Sequence, residues 1–356
     1  MPHRLARNGQ TMATPMCYFL SMPNIPIARA HHLLPFLGML RGIGAPVDRE
    51  LARAKLPACV EEAPDAYINV NFAYDFMATC AAREGIDDLG FEAGWMLELD
   101  DLGPDLLRSL DAAPTTKARL AALVRFIGQE ASTLSCKLVA QGSSIRVCVV
   151  EDFPPGVDPR VSEWQSLKAV IEVVRSAVGP KWQPSEICLK SAQKVHPSVL
   201  DRLGGVDVRV NQPFCSFLMS VTDFARPARQ RSWANPRQPQ SPGTCEPALE
   251  DFVEVLRAAM APYLLSGYPS IGMAADIAGM SIRTLQRVLR ANRTSYSELI
   301  ENLRFDQATQ LLADSDMKVI DIALQLGYEH SPNFSRAFHR VSGLTLQQYR
   351  EAQLSC

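Results

Sequence analysis

Apolar residues in the first 225 positions recur mostly at three- and four-residue spacing, which is typical of helices with one buried face. Thr115 precedes the most regular of these segments, LAALVRFI, and can cap it. The pattern predicts helices at Ala30–Leu40, Asp48–Ala54, Ile68–Ala82, Leu89–Leu97, Pro104–Leu110, Thr115–Ala131 and Asp158–Val178.

The period changes to two in the middle of this region. Ile145, Val147 and Val149 alternate with polar or smaller residues, and Leu134–Ala140 and Ser144–Val150 flank a Gln-Gly-Ser turn. This arrangement predicts a β-hairpin. We expect further strands at Glu186–Lys190 and Val206–Val210 and another element at Phe214–Val221. The region therefore reads as an α+β domain with a small antiparallel sheet.

After position 247 no segment alternates, and helical spacing covers the remaining chain. This predicts an all-α domain, with helices at Ala248–Leu264, Ile271–Ala278, Ile282–Ala291, Tyr296–Ala313, Lys318–Leu326, Pro332–Val341 and Leu346–Ala352. Between the two regions, Ala225–Pro247 is rich in Pro, Gln, Ser and Arg and has almost no aliphatic residue. We therefore expect a disordered tail at 1–27, a domain at 28–225, a linker at 226–247 and a second domain at 248–356.

Composition agrees with a folded two-domain protein. The chain has 356 residues, of which 47% are hydrophobic and 21% charged. This balance excludes disordered, collagen-like and coiled-coil classes. Without an apolar run of about 18 residues, no membrane partner is expected. The nine cysteines include no CxxC pair, which favours reduced thiols and a cytoplasmic location.

One unit occurs twice in the second domain. Each copy has a short amphipathic helix that ends near Ile-Ala, a glycine in a turn (Gly279, then Gly327), and a second helix. Small residues let two helices cross closely, and glycine adopts the left-handed conformation that ends the first helix. This is typical of a helix-turn-helix. The intervening helix, Tyr296–Ala313, would be about 27 Å long at ~1.5 Å per residue, near the ~34 Å between successive major grooves.

Positive charge is concentrated on the second helix of each unit. The whole chain has a net charge of −2, and residues 245–356 hold 10 Lys+Arg against 13 Asp+Glu. Yet Ser281–Arg293 has four arginines and no acid, and His330–Gly343 has two arginines, two histidines and no acid. A solvated surface helix would also explain the arginines of one unit, but repetition in both units favours a nucleic-acid surface.

Leu285, Val288 and Leu289 in the first unit, and Phe334 and Phe338 in the second, should point inward. The residues left outside are candidates for contacts with base edges, since Arg pairs with guanine and Gln or Asn with adenine. The predicted base-reading residues are Arg283, Gln286, Arg287, Ser331, Asn333 and Arg336. Arg336 could instead hold phosphate or the domain itself. The predicted phosphate contacts are Arg290, Arg340 and Tyr349.

The segments GMSIRTLQRVLR, ENLRFDQATQLL and VIDIALQLGYEHSPNFSRAFHRVSGLTLQQYR resemble the C-terminal DNA-binding domain of the AraC/XylS family over roughly residues 250–352. Two positions depart from the family: its usual glycine after the first recognition helix is replaced around Arg293-Thr294, and its usual Ser-Pro before the last helix is Thr345-Leu346. The matching positions are Ser281, Leu285, Gln286, Arg287, Arg304, Ala308, Leu312, Ile322, Ala323, Gly327, Tyr328, Phe334, Ser335, Arg336, Phe338, Gly343, Tyr349 and Arg350.

The first domain is similar to the arabinose-binding-like effector region of that family, through Arg49–Leu51, Leu56-Pro57, Asp88–Gly90, Lys181–Pro184 and Val208–Phe214. The resemblance implies a regulator, more often an activator, whose partners are double-stranded promoter DNA, a small-molecule effector, a second copy in a homodimer and, for an activator, RNA polymerase. Aromatic residues near the helix–sheet junction are candidates for the effector pocket, although such residues are more often core: Tyr67, Phe72, Tyr74, Phe76, Trp95 and Trp164.

No enzyme, cofactor or metal site is expected. The motifs GxxxxGK[ST], GxGxxG, GxSxG and HExxH do not occur. His31 and His32 are adjacent, and neighbours in a helix should not face one site; the other histidines and cysteines lack zinc spacing. Two alternatives remain: an AraC-like DNA-repair alkyltransferase, whose Pro-Cys-His-Arg motif the sequence lacks, and a scaffold module that does not bind DNA.

Overall fold

A computed structural model of the protein describes residues 25–229, 251–266, 269–314 and 317–354. In the N-terminal domain the elements are β1 (Ile27–Arg29), α1 (Leu34–Gly42), α2 (Val47–Arg53), β2 (Tyr67–Asn69), α3 (Val70–Glu84), α4 (Leu89–Gly94), α5 (Pro104–Ala112), α6 (Thr116–Glu130), β3 (Leu134–Gln141), β4 (Ser144–Glu151), α7 (Glu163–Val178), β5 (Glu186–Cys188), α8 (Pro197–Arg202), β6 (Asp207–Arg209), β7 (Cys215–Ser220) and α9 (Val221–Ala225). In the C-terminal domain they are α10 (Phe252–Met260), α11 (Ile271–Ile277), α12 (Ile282–Ala291), α13 (Tyr296–Asp314), α14 (Val319–Gln325), α15 (Ser331–Ser342) and α16 (Leu346–Leu354).

The predicted hairpin is the edge of a five-stranded sheet with the order β3-β4-β7-β5-β6. Gln141 pairs with Ser144 across the turn, and Gly142 there has a φ of +60°. The predicted element at Phe214–Val221 is strand β7, and all pairs are antiparallel except β5–β6, which is parallel. Helices α5, α6 and α7 pack with this sheet in one core. The predicted α+β fold is confirmed.

Helices α1 to α4 form a second core that contacts the first through α4 and α7. Two glycines of α4 allow this close packing. A Cβ added at Gly90 would lie 1.9 Å from the carbonyl oxygen of Arg160, and one at Gly94 would lie 2.7 Å from the backbone nitrogen of Gln165. Only a residue without a side chain fits at these two positions.

A second, two-stranded sheet pairs β1 with β2 and was not predicted. The helix predicted at Ile68–Ala82 starts at Val70, because the side chain of Asn69 accepts hydrogen bonds from the backbone N–H groups of Asn71 and Phe72. Tyr67–Asn69 is therefore free to pair as a strand. The described chain also starts inside the segment predicted as a tail: Ile25 and Ile27 are 1% and 4% exposed, because both pack against the C-terminal domain.

The linker predicted to start at position 226 is partly attached to the N-terminal domain. Thr116 donates to the carbonyl oxygen of Arg226 at 3.0 Å, Ala228 donates to Pro114 at 2.9 Å, and the Arg119 guanidinium donates to the carbonyl oxygen of Arg229 at 2.9 Å. Residues 230–247 of the predicted linker lie outside the described residues. In the described part of the chain, no helix combines the length and the apolar character that crossing a membrane requires.

The C-terminal domain is all-helical, as predicted, and has two separate cores. The first contains α10 to α12, and the second contains α14, α15 and the start of α16. Helix α13 belongs to both: Leu299 and Leu303 lie in the first core, and Ala308 and Leu312 lie in the second.

Candidate DNA-binding surface and ligand cavity

The first predicted helix-turn-helix is formed by α11 and α12. Gly279 has a φ of +63° in the turn, and its N–H donates to the carbonyl oxygen of Asp276 at 3.0 Å. The buried Ala274 and Ala275 permit the close approach of the two helices. Ser281 then caps α12 by accepting from the N–H of Thr284 at 3.2 Å.

The second unit, α14 and α15, repeats this geometry. Gly327 has a φ of +74°, Tyr328 donates its N–H to the carbonyl oxygen of Ala323 at 2.9 Å, and Ala323 is fully buried. The guanidinium of Arg304, on α13, lies 4.6 Å from the centre of the Tyr328 ring. This stacking attaches the second unit to the helix that joins both units.

The joining helix α13 has 19 residues, which corresponds to about 28 Å at ~1.5 Å per residue. At the end of α12, Arg293 has a φ of +57°. The position at which the family usually has glycine therefore adopts the left-handed conformation here with an arginine.

The outer face of α12 carries uncompensated positive charge. Leu285 and Leu289 are buried, and the predicted contact residues Arg283, Gln286, Arg287 and Arg290 are exposed. Within the described residues, none of these three arginines has an ion-pair partner, whereas arginines elsewhere on the protein are commonly paired. The surface can therefore accept phosphate or a guanine edge without breaking an ion pair first.

The outer face of α15 is more occupied by internal contacts. Asn333, Arg336 and Arg340 are exposed and Ser331 is half-buried. The Arg336 guanidinium donates to the Asn333 side-chain oxygen at 2.7 Å, and Arg340 forms an ion pair of 2.7 Å with Glu301 of α13. DNA contacts by Arg340 would therefore compete with Glu301.

Tyr349 was predicted to contact phosphate. Its ring packs into the core formed by α14, α15 and the start of α16. It is half-buried, and its centre lies 5.3 Å from that of Phe338 in an edge-on arrangement. The Tyr349 ring is therefore part of this core.

The N-terminal domain contains a cavity of about 90 Å³. It lies between the β1–β2 sheet and helices α3, α5, α6 and α7. The apolar lining is formed by Ala28, Leu33, Ile68, Val70, Ala73, Met77, Leu102, Leu106, Leu123, Ile127, Ala131, Leu134, Ala169 and Val170. The polar lining is formed by Arg29, His32, Tyr74, Glu130, Thr133, Glu151, Ser162, Gln165 and Ser166.

Of the aromatic residues predicted for the pocket, Tyr74 lines this cavity. Trp95 and Trp164 instead pack on Phe91, each with ring centres 5.1 Å apart, and Phe76 is fully buried in the core of α1 to α4. Tyr67 and Phe72 pack against the first helix-turn-helix core. Helical spacing identifies a buried face but does not distinguish a cavity wall from a solid core.

The polar end of the cavity is organised around Glu151, which sequence reasoning missed. Its carboxylate accepts hydrogen bonds from the hydroxyls of Tyr74 at 2.5 Å, Ser162 at 2.7 Å and Ser166 at 3.1 Å. Burial raises the pKa of the Glu151 carboxyl, against the opposing effect of these hydrogen bonds. The only available signal was an acidic residue at the end of the apolar strand β4.

A second polar group at the cavity wall consists of His31, His32 and Glu130. His31 Nε2 lies 2.9 Å and His32 Nε2 lies 3.2 Å from the same Glu130 oxygen. Burial lowers the pKa of His32. Burial alone would raise the pKa of Glu130, but the adjacent His31 and His32 rings outweigh it and hold that pKa below its usual range. The expectation that these adjacent histidines do not face one site is wrong: both lie in the 3₁₀ turn at Ala30–Leu33, their side chains bend toward the same Glu130 oxygen, and their ring centres are 4.3 Å apart.

The β1–β2 sheet separates the cavity from the DNA-binding domain. Successive side chains of a strand point to opposite faces. Ala28 and its partner Ile68 line the cavity. Ile27 packs in the first helix-turn-helix core, and its partner Asn69 donates from Nδ2 to the carbonyl oxygen of Ile277, at the end of α11, at 2.7 Å.

Further contacts join the two domains beside this sheet. The Tyr263 hydroxyl donates to the carbonyl oxygen of Lys55 at 2.7 Å, and the Lys55 ammonium pairs with Asp276 of α11 at 2.6 Å. Cys59 Sγ lies 3.3 Å from the carbonyl oxygen of Pro262. The N-terminal domain thus contacts the first helix of the first helix-turn-helix.

The described cysteines are poor nucleophiles. Burial raises the pKa of every one of the six in the described ranges, to about 11 for Cys80 and about 12 for Cys136. A thiol with a raised pKa holds little thiolate at neutral pH.

Comparison with known protein families accounts for both domains. The family model described as the arabinose-binding domain of AraC transcription regulators, N-terminal, matches residues 44–228. A helix-turn-helix domain model matches residues 274–352.

Individual relatives are regulators. The chain is 26% identical over 333 residues to the HTH-type transcriptional regulator VirS of Mycobacterium tuberculosis, covering 91% of this chain and 96% of that one. It is 27% identical over 222 residues to the ornithine utilization regulator of Pseudomonas aeruginosa, covering 61% and 65%. The crystal structure of the transcriptional regulator CdpR from Pseudomonas aeruginosa aligns over 86% of this chain and 96% of its own, at 19% identity and with a TM-score of 0.37.

The double helix-turn-helix, the preceding effector-type domain and the two family matches agree, and the chain belongs to the AraC/XylS family of DNA-binding transcription regulators with an N-terminal effector-binding domain.

Proposed function

We propose that this protein regulates promoters in response to a small molecule that binds in the cavity, and that the β1–β2 sheet transmits occupancy to the first helix-turn-helix. The observation that carries the proposal is the sheet itself. One of its faces lines the cavity, and the other packs on α10 and α11. A ligand that displaces Ala28 or Ile68 therefore also displaces the strands that hold Ile27 and Asn69.

The residues proposed to read bases are Arg283, Gln286 and Arg287 of α12 and Ser331, Asn333 and Arg336 of α15. Two observations support this assignment: five of them are exposed, and α12 has no ion pair with any residue that the structure describes. Arg290 and Arg340 are proposed to contact phosphate, as is Tyr349, which would have to reach the backbone with its hydroxyl while the ring stays packed on Phe338.

The lining indicates the class of effector. Its wall is largely aliphatic, with polar groups concentrated around Glu151 and Glu130. A water occupies about 10–15 Å³ on a comparable scale, so a cavity of about 90 Å³ admits only a small molecule unless the walls move apart. We infer a small, mostly apolar effector with one hydrogen-bonding group that faces Glu151.

The effector controls DNA binding only if it binds two conformations of the protein with different affinity. In the described conformation, two buried or half-buried hydrogen bonds fix the first helix-turn-helix to the N-terminal domain, one at Ile277 of α11 and one at Tyr263 between α10 and α11. Ile25, Ile27 and Phe72 add packing contacts with the same core. We propose that this conformation restrains the first unit, and that the occupied cavity favours its release.

The effector can be sought by native mass spectrometry of the purified full-length protein, followed by DNA-binding titrations with and without the compound it retains. Ala73→Leu would fill the cavity, and Ala78→Leu places the same side chain on the exposed side of the same helix. We expect Ala73→Leu to abolish retention and the ligand-dependent change in DNA affinity, with Ala78→Leu like wild type. Equal retention by both variants would contradict the assignment of the cavity.

The remaining properties follow from this role. We propose a homodimer that binds two half-sites, activation through contact with RNA polymerase, and action in the cytoplasm where promoter DNA lies. Light scattering at micromolar concentration, with and without DNA, tests the dimer; a monomer in both conditions would exclude it.

Loosening the contact between the domains should change DNA binding. Asn69→Ser keeps an oxygen that caps α3 but is too short to reach the carbonyl of Ile277, and Tyr263→Phe removes the hydroxyl bonded to Lys55. At about 0.5–1.5 kcal/mol per hydrogen bond, the double variant should shift the equilibrium between docked and released units by about 1–3 kcal/mol, which is roughly 5- to 150-fold. Hydrogen exchange in α11 should accelerate, and DNA affinity should become less dependent on effector.

The control is Lys55→Gln, which removes an ion pair whose two side chains are each 48% exposed. Such pairs contribute about 0–1 kcal/mol. Protection of α11 should therefore hardly change. If the double variant leaves both exchange and DNA binding as in wild type, the contact does not restrain the first unit.

Competition by Glu301 for Arg340 gives a further prediction. Glu301→Gln should free Arg340 for phosphate and strengthen non-specific DNA binding about two- to fivefold, with a steeper dependence on salt. Fluorescence anisotropy at several salt concentrations measures both quantities. In the Arg340→Gln background the substitution should have a smaller effect; an equal effect would mean that Arg340 does not touch phosphate.

A further inference from the structure

We propose that His31, His32 and Glu130 form a binding site for a divalent transition-metal ion, with Zn²⁺ as the reference ion, in the wall of the effector cavity. One donor atom from each residue lies within 4.8 Å of the other two. Imidazole nitrogen and carboxylate oxygen are a donor set that zinc takes in proteins, commonly with three protein ligands and an open fourth position.

Two of the three distances between donor atoms are close to those of a metal site, and the third is at most 4.8 Å. Tetrahedral zinc with bonds of about 2.0–2.1 Å requires donor atoms roughly 3.3 Å apart. The two histidine nitrogens lie 2.9 Å and 3.2 Å from the Glu130 oxygen. An ion inserted between them therefore needs movements of only a few tenths of an ångström along each of these two edges.

The surroundings fix the ligands in place. Gln165 donates from Nε2 to the carbonyl oxygen of His32 at 2.6 Å, which holds the 3₁₀ turn against α7. The other Glu130 oxygen would lie only 2.8 Å from a Cβ added at Gly103, so the glycine leaves room for this carboxylate. His31 and Glu130 are largely enclosed, with side chains 11% and 16% exposed. The positive charge of Arg29, which acts on His32, opposes the binding of a cation here. The Arg29 guanidinium itself lies over the Tyr67 ring, 4.0 Å from its centre.

The location gives the ion a role beyond binding. His32 and Glu130 line the cavity, so an open coordination position can face the ligand space. The 3₁₀ turn that carries both histidines follows strand β1 directly. A bound ion would join this turn to the end of α6 and stiffen the β1–β2 sheet beside the first helix-turn-helix.

The test is a Zn²⁺ titration of the full-length protein after chelator treatment, in competition with a chromophoric chelator. We expect one ion per chain. His32→Gln and Glu130→Gln should each weaken Zn²⁺ binding by at least about 100-fold. Loss of a residue that only hydrogen-bonds to a metal ligand already costs up to about 100-fold in affinity. His339→Gln, which changes an exposed histidine of α15, should bind as wild type. Equal affinity in all four proteins, or no binding by wild type, would overturn the site.

Two measurements separate the site from misfolding and from thiol binding. Zn²⁺ should raise the melting temperature of wild type and of His339→Gln but not of the other two variants. X-ray absorption of the zinc-loaded wild type should show imidazole and oxygen donors. Because the chain has nine cysteines, sulfur in the coordination shell would place the ion elsewhere. None of these readouts depends on DNA, so failure of this proposal leaves the proposed regulation untouched.

Discussion

Gln286→Ala and Arg287→Ala should each weaken specific DNA binding by about 1–3 kcal/mol, which is a loss of roughly 5- to 150-fold. Both side chains are exposed on α12 beside the buried Leu285 and Leu289. Arg287 has no ion pair within the described residues, so its loss costs the fold little. The double variant should approach the affinity of the protein for unrelated DNA.

The measurement is a titration with an operator obtained by selection from random DNA, repeated with each base of that operator changed. Each variant should lose discrimination at one base position while non-specific affinity hardly changes. Lys117→Ala removes one positive charge from an exposed position of the N-terminal domain and is the matched control. If the variants weaken all sequences equally and flatten the salt dependence, the two residues contact phosphate instead.

Gly90→Ala should destabilise the N-terminal domain by about 3 kcal/mol or more, the upper range for overpacking a core. The added methyl group would lie 1.9 Å from a backbone oxygen of Arg160, and a backbone atom cannot rotate away. The displaced segment leads into Ser162 and α7, which supply Ser162, Gln165 and Ser166 to the cavity wall. For a domain of this size the melting temperature should fall by roughly 6–12 °C.

Gly38→Ala is the control for this stability change. Gly38 lies in α1, is exposed, and has no atom within 4 Å of an added Cβ. Alanine there should stabilise the helix by about 0.5–1 kcal/mol. Calorimetry measures the melting temperatures of both variants. Similar values would show that α4 and α7 can move apart without a loss of stability.

The parts of the fold that depend on local sequence could be predicted. The helix-turn-helix units have their signals within about 20 residues: the alanines, Gly279 or Gly327, and the cap that follows. The hairpin β3–β4 is equally local, since its turn and its alternation adjoin each other. These elements and the exposed face of α12 are therefore where the sequence predicted them.

The parts that depend on distant residues could not be predicted. Strands β1 and β2 are three residues each and 40 positions apart, too short for alternation to distinguish them from a helix end. Glu130 meets His31 across about 100 positions, and Glu151 meets Tyr74 across 77. Only the packing of α3, α6 and β4 around one cavity brings these groups together.

The most direct test of the account is hydroxyl-radical footprinting of the full-length protein on its selected operator. Two helix-turn-helix units on the 19-residue helix α13 should protect two segments on one face of the DNA, centred about one helical turn apart, 10–10.5 base pairs. Gln286→Ala/Arg287→Ala should weaken protection of one segment first. A single protected segment that responds to substitutions in both α12 and α15, or protection without regard to sequence, would contradict the proposal that both units read DNA.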